Sequence, residues 1–218
     1  MEWAALAERA EARYRDGEGR LPEDDADARQ RQLTRLGNAA WAAGLAALMA
    51  GRDGDARRWL DLAAERYRES YADAPPGSWG RPIAVLKTRL LVGDRAGAEE
   101  AARWTLAERA ADADSPIGRY AAALAHAVLG EWDDVRPLAD ALRTSDGFPH
   151  DVADALAFLA AEDVVGYVGA AESVLASFES RDGYLEDMPV ADTVLVLQAL
   201  AASRGMRAEL ASPFLPSR

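Results

Sequence analysis

Two histidines, 37 carboxylates and no cysteine set the limits of the chemistry open to this chain of 218 residues. Without Cys there is no thiolate nucleophile, no disulfide, no iron-sulfur cluster and no cysteine-ligated zinc. His126 and His150 stand 24 residues apart, so the paired histidines of a metalloprotease helix cannot form. Neither a glycine-rich phosphate loop ending in Lys-Ser or Lys-Thr nor a dinucleotide-binding glycine fingerprint occurs. His126 lies inside the apolar run from Ala121 to Leu129. There it reads as a partly buried helix residue satisfied by a neighbour, with a general base as the competing role. His150 follows Pro149 and reads as an exposed residue of a turn or first helical turn.

The acids call for the same weighing. Asp53-Gly54-Asp55 has the look of a calcium loop, but Arg57 and Arg58 occupy positions where further oxygen ligands are needed, and helix capping explains the acids better. Glu23, Asp24, Asp25 and Asp27 read as a solvated helix start rather than a cation site. Glycoside hydrolysis needs two carboxyls at a defined separation, and no spacing singles out such a pair. The sequence therefore predicts a protein that is not an enzyme, with no catalytic residue, no metal ligand and no cofactor.

Charge points to the kind of partner. With 25 basic against 37 acidic residues the net charge is -12, which suits neither a polyanionic nucleic acid nor an anionic membrane. A protein partner with a basic surface fits better. The apolar stretch from Ala39 to Ala50 is too short for the roughly 20 residues of a membrane helix. The first residues lack a basic segment followed by an unbroken apolar run, so a cytoplasmic location is expected.

These side chains must be positioned by helices. Ala occupies 49 positions, and Ala is the best helix former. Trp3, Leu6, Ala7, Ala10 and Tyr14 recur at helical spacing and predict a first helix that stops near Gly17, and the acids from Glu23 open a long helix to about Ala50. A phrase then repeats: an apolar helix end, a small residue, then acids. Its anchors are Gly51, Gly93, Gly130, Ala161 and Ser203, separated by 42, 37, 31 and 42 residues. Each anchor marks a tight turn, with the Gly as a left-handed helix cap and the acids opening the next helix. Breaker clusters at Pro75-Pro76-Gly77, Ser115-Pro116, Gly147-Phe148-Pro149 and from Asp182 to Pro189 separate the hairpins, with Pro116 and Pro149 placed to begin helices. The expected architecture is all-α, about ten helices stacked as antiparallel hairpins in a single domain. Residues 1–22 form the N-terminal helix and loop, 23–208 the hairpins, and 209–218 the tail.

The small and large positions of the hairpins, Gly44, Ala56, Leu60 and Ala63 in one and Ala123, Gly130, Val135 and Ala139 in another, resemble those of tetratricopeptide repeats. The match covers roughly residues 27 to 208 and departs from that pattern in its spacing and at Asp154, which stands where a small residue belongs. The resemblance implies an α-solenoid. In stacks of helical hairpins the first helix of each pair lines the concave face. Trp41, Lys87, Tyr120 and Asp151 are thereby brought toward one groove as candidate partner-binding residues, unless a terminal helix packs there instead. The six Trp read mainly as volume fillers among alanines. The segment Asp192-Thr193-Val194-Leu195-Val196-Leu197-Gln198, then Arg204-Gly205 and Ser212-Pro213-Phe214-Leu215-Pro216, is similar to the closing helix and tail of the forty-ninth family of all-helical immunity proteins of polymorphic toxin systems. That similarity implies a protein that neutralises a toxin by direct binding. The alternative is a small-molecule enzyme or ligand-binding protein with a site between helices near His126.

Overall fold

The computed structural model describes residues 2–217; Met1 and Arg218, the ends of the expected single domain, lie outside the described residues. Among the described residues are ten α-helices, two 3-10 turns and no strand, an all-α fold with the expected number of helices. The helices are α1 (Trp3–Glu18), α2 (Ala26–Met49), α3 (Asp53–Ala72), α4 (Gly80–Leu91), α5 (Arg95–Ala107), α6 (Pro116–Leu129), α7 (Trp132–Arg143), α8 (His150–Ala160), α9 (Val164–Glu179) and α10 (Asp192–Ser203). The 3-10 turns are Ala110–Asp112 and Leu185–Asp187.

Local chemistry explains the boundaries. Four side chains cap helix starts by accepting a backbone N–H three residues on. These are Asp25 from Ala28 at 2.9 Å, Asp94 from Gly97 at 3.0 Å, Ser115 from Gly118 at 3.2 Å and Asp163 from Gly166 at 2.9 Å. Pro116 opens α6, where its missing N–H is no loss, whereas Pro149 sits one residue before α8 and His150 begins it. The turns at Gly51, Gly93 and Gly130 are left-handed, with φ of 69°, 66° and 78°. At the last two turns the expected anchors are displaced. Ala161 is right-handed and Glu162 takes the left-handed position with φ 55°, while Gly205, at φ 69°, serves in place of Ser203. The criterion that decides the anchor is the positive φ, which falls on the helix cap itself at Gly130 and one residue past it at Gly51, Gly93, Glu162 and Gly205.

From α1 to α9 the helices pack in chain order, each against the next, and α4 also meets α6. Within the first hairpin a close approach falls at Gly44, where a Cβ would lie 2.6 Å from Cγ of Leu60, so that α2 and α3 touch through a residue with no side chain. Ala123, Val135 and Ala139 meet the same demand between α6 and α7, all fully buried. Every Trp is buried or half-buried against this core. Ion pairs tie neighbouring elements: Arg89 to Asp61 at 2.5 Å, Arg68 to Glu100 at 2.7 Å and Arg143 to Asp154 at 2.5 Å. The last pair explains why an acid occupies position 154, since Asp154 anchors α8 to Arg143 of α7.

The tenth helix departs from the order. α10 packs back on α4 and also touches α8 and α9, and the 3-10 turn Leu185–Asp187 lies on α2. No helix among the described residues is long and apolar enough to cross a membrane.

Candidate functional site

α10 is fixed at both ends. At its start Lys87 Nζ lies 2.6 Å from Asp192 Oδ2 and donates to Thr193 Oγ1 at 3.1 Å, with both charged side chains largely buried at 14% and 12% exposure. Asp192 also meets the positive end of the helix dipole, being the first residue of α10. Farther along, Tyr167 donates to Gln198 Oε1 at 3.0 Å, and Gln198 donates to the Ala208 carbonyl at 2.5 Å. Arg204 pairs with Glu162 and sits 4.5 Å above the Trp132 ring. The tail closes over the helix start: the Ala191 N–H donates to the Phe214 carbonyl at 2.9 Å, and the Phe214 ring packs on Phe178 and Tyr184.

This arrangement settles where the four sequence candidates lie. Lys87 and Tyr120 line a cavity of about 490 Å³, and Lys87 and Trp41 line an adjoining one of about 230 Å³. Trp41 and Tyr120 are buried, at 8% and 7% exposure. Asp151, in the first turn of α8, lines neither cavity. Three of the four thus surround one region, and that region is covered by the chain's own α10 and the residues leading into it.

The larger cavity is walled by the rings of Tyr120, Phe148 and Phe178 and by Ile117, Val152 and Val174, with Lys87, Thr193, Arg181 and Asp146 supplying polar groups. Tyr120 and Phe148 pack as a tilted pair with centroids 5.3 Å apart. Arg181 lies 5.0 Å above the Phe178 ring and belongs to both cavities. Burial, with a smaller push from the Asp192 carboxylate, drives the Tyr120 phenol well above its ordinary range, so it remains a protonated donor. Sequence reasoning missed Phe148, Phe178, Arg181 and Thr193. Their signal was faint, because they lie in a breaker cluster, a helix end and the start of a terminal helix whose return to α4 is a long-range contact.

His126 is half-buried, and its Nδ1 lies 2.7 Å from Oε2 of Glu131 across the turn between α6 and α7. That is the satisfied helix residue expected from its apolar surroundings. Glu131 and Asp134 bring their oxygens within 4.8 Å of the imidazole, a set that could take a cation, though both carboxylates are exposed. Asp55 has Arg52 and Arg58 as partners at 3.4 and 3.6 Å, which leaves it a helix-start acid.

A second surface is formed by α9. Val165, Gly169, Glu172 and Ala176 recur at spacings of four and three residues, all exposed, with Val165 at 84%. Val168 and Ser173 flank the stripe, and α9 contains neither Lys nor Arg. Because α10 turns back to α4, this outward stripe is left without a neighbour among the described residues. Comparison with known proteins gives no match to any protein family, any curated protein or any solved structure.

Proposed function

We propose that the chain is a non-enzymatic protein-binding module of tetratricopeptide-like architecture, and that its partner meets the outward face of α9. The observation that carries this reading is the apolar, small-residue stripe of Val165, Gly169 and Ala176 at the end of the helix order. Helical-repeat arrays ordinarily close with a polar outer face, and an exposed apolar stripe rimmed by polar residues is the mark of an interaction site. Glu172 lies within the stripe, between Gly169 and Ala176, and Glu179 and Asp163 are charges at the two ends of α9. They complement a partner presenting an apolar ridge bordered by Lys or Arg, in keeping with a net charge of -12. Nucleic acid is disfavoured on the same grounds. The titratable groups inside the fold suit recognition rather than proton transfer: Lys87 is neutralised by Asp192, and Tyr120 is held protonated.

The specific form of this reading is a cytoplasmic immunity protein that neutralises a cognate toxin by direct binding, the role implied by the resemblance of the segment from Asp192 to Pro216. The test is affinity capture from the source cell with the wild type, Val165→Arg and Gly169→Arg as baits. Both positions are exposed, and the space around a Cβ at Gly169 is open, so the substitutions leave the fold intact. The expected result is a basic protein partner whose affinity for both variants falls by about ten-fold or more and whose association with the wild type slows as salt rises. A partner retained equally by all three baits contradicts the assignment of α9.

A further inference from the structure

The buried tyrosines differ in one respect. Tyr14, Tyr67 and Tyr167 each have a side-chain partner for the hydroxyl, in Glu18 and Arg66, in Asn38 and in Gln198. Tyr120 is equally buried, yet its hydroxyl makes no hydrogen bond among the described residues, and it is not among the sealed, unpartnered atoms, which are Trp59 Nε1 and Arg204 Nε. Tyr120 lines the cavity of about 490 Å³, and its unsealed hydroxyl has that cavity beside it. A hydroxyl without a protein partner takes its acceptor from what the cavity holds, water or a ligand.

Two of the neighbouring polar groups, Lys87 and Arg181, are donors as well. Lys87 directs its ammonium to Asp192 and Thr193, which leaves one of its three protons free. Arg181 lies over Phe178 with no carboxylate partner among the described residues. Since Lys87 and Asp192 cancel, Arg181 is the cation of this cavity without an ion-pair partner among the described residues. Apart from Asp146 and Thr193 the remaining lining is largely apolar, with Ile117, Phe148, Pro149, Val152 and Val174. We infer that this cavity is a binding site for a small monocarboxylic acid with an apolar aromatic or aliphatic body. The carboxylate accepts from Tyr120 and Lys87 and pairs with Arg181, while the body lies against Phe148, Val152 and Ile117. The volume is within the range of small-molecule sites, roughly 300–1,000 Å³. Asp146, on the loop that carries Phe148, disfavours a second carboxylate in the ligand. Nothing in this assignment depends on the α9 face, so the failure of either leaves the other standing.

The test is titration calorimetry and thermal melting of the full chain with octanoate and phenylacetate, set against 1-octanol and phenylacetamide. The variants are Tyr120→Phe, which keeps the ring on Phe148, Arg181→Gln at an exposed position, and Ile117→Trp at the 43%-exposed mouth. Circular dichroism confirms that each variant is folded. The expected result is saturable binding of at least one acid to the wild type, weakened about ten-fold by Tyr120→Phe and by Arg181→Gln, the effect of one hydrogen bond to a charged group. Ile117→Trp closes the mouth and abolishes binding, and the neutral analogues bind no more weakly to Arg181→Gln than to the wild type. Absence of saturable binding by both acids at millimolar concentration overturns the inference. So does binding in which acids and neutral analogues are equal and the Tyr120 and Arg181 substitutions are silent.

Discussion

At the scale of single residues, burial of tyrosine has a consequence that can be titrated. Tyr67, Tyr120 and Tyr167 all have phenols raised by desolvation, so the folded state favours their neutral form. A group whose folded value is raised contributes its stability in full below the unfolded value, near 10 for Tyr, and loses it as pH climbs toward the folded value. Phenolate absorbance and loss of helical ellipticity are therefore expected to rise together above about pH 10, and early ionisation of every Tyr in a folded protein would contradict the packing. Gly44 gives a steric counterpart. Gly44→Ala places a methyl 2.6 Å from Leu60, and overpacking of this kind costs about 1–3 kcal/mol, read from chemical denaturation. That position was legible in the sequence, because small residues facing large ones within a hairpin follow a local pattern. The cavity residues Phe148 and Arg181 were not legible. Neither belongs to a periodic apolar face, and each becomes part of the site only through contacts between segments distant in the chain.

At the scale of elements, the acids after each Gly and the prolines before helices made the boundaries readable, since caps and turns depend on a few adjacent residues. The displaced anchors at Glu162 and Gly205 follow from the same rule, because the left-handed residue falls after the cap and the sequence shows composition rather than φ. The destination of α10 was harder to read. Its residues are apolar nearly all round, which specifies burial but not the surface against which it is buried. The pair of Lys87 and Asp192 supplies the missing specification, joining α4 to the first residue of α10 at 2.6 Å. Removing one partner leaves the other charge buried, so Lys87→Ala is expected to cost about 3 kcal/mol, and the double variant Lys87→Met with Asp192→Leu less than either single charge removal. Equal losses in singles and double, measured by denaturant unfolding, would show that the pair does not hold α10.

At the scale of the whole molecule, the return of α10 divides the surface into two parts. The side of α4, α6 and α8 that hairpin order assigns to a ligand is covered by the chain itself, apart from the cavity beside Tyr120. The end of the order, α9, remains uncovered. On the proposed reading, a net charge of -12 favours a basic protein and sets the rate of encounter, while the stripe on α9 would govern how long the complex lasts. Hydrogen exchange of the backbone amides, with and without the captured partner, tests this division most directly. The account predicts that residues 192–203 of the free protein exchange only through global unfolding, and that partner binding slows exchange in residues 164–179. Fast exchange of α10 in the free protein, with new protection appearing on α2, α4 and α6 when the partner binds, would mean that α10 is displaced and that the covered surface, rather than α9, is where recognition occurs.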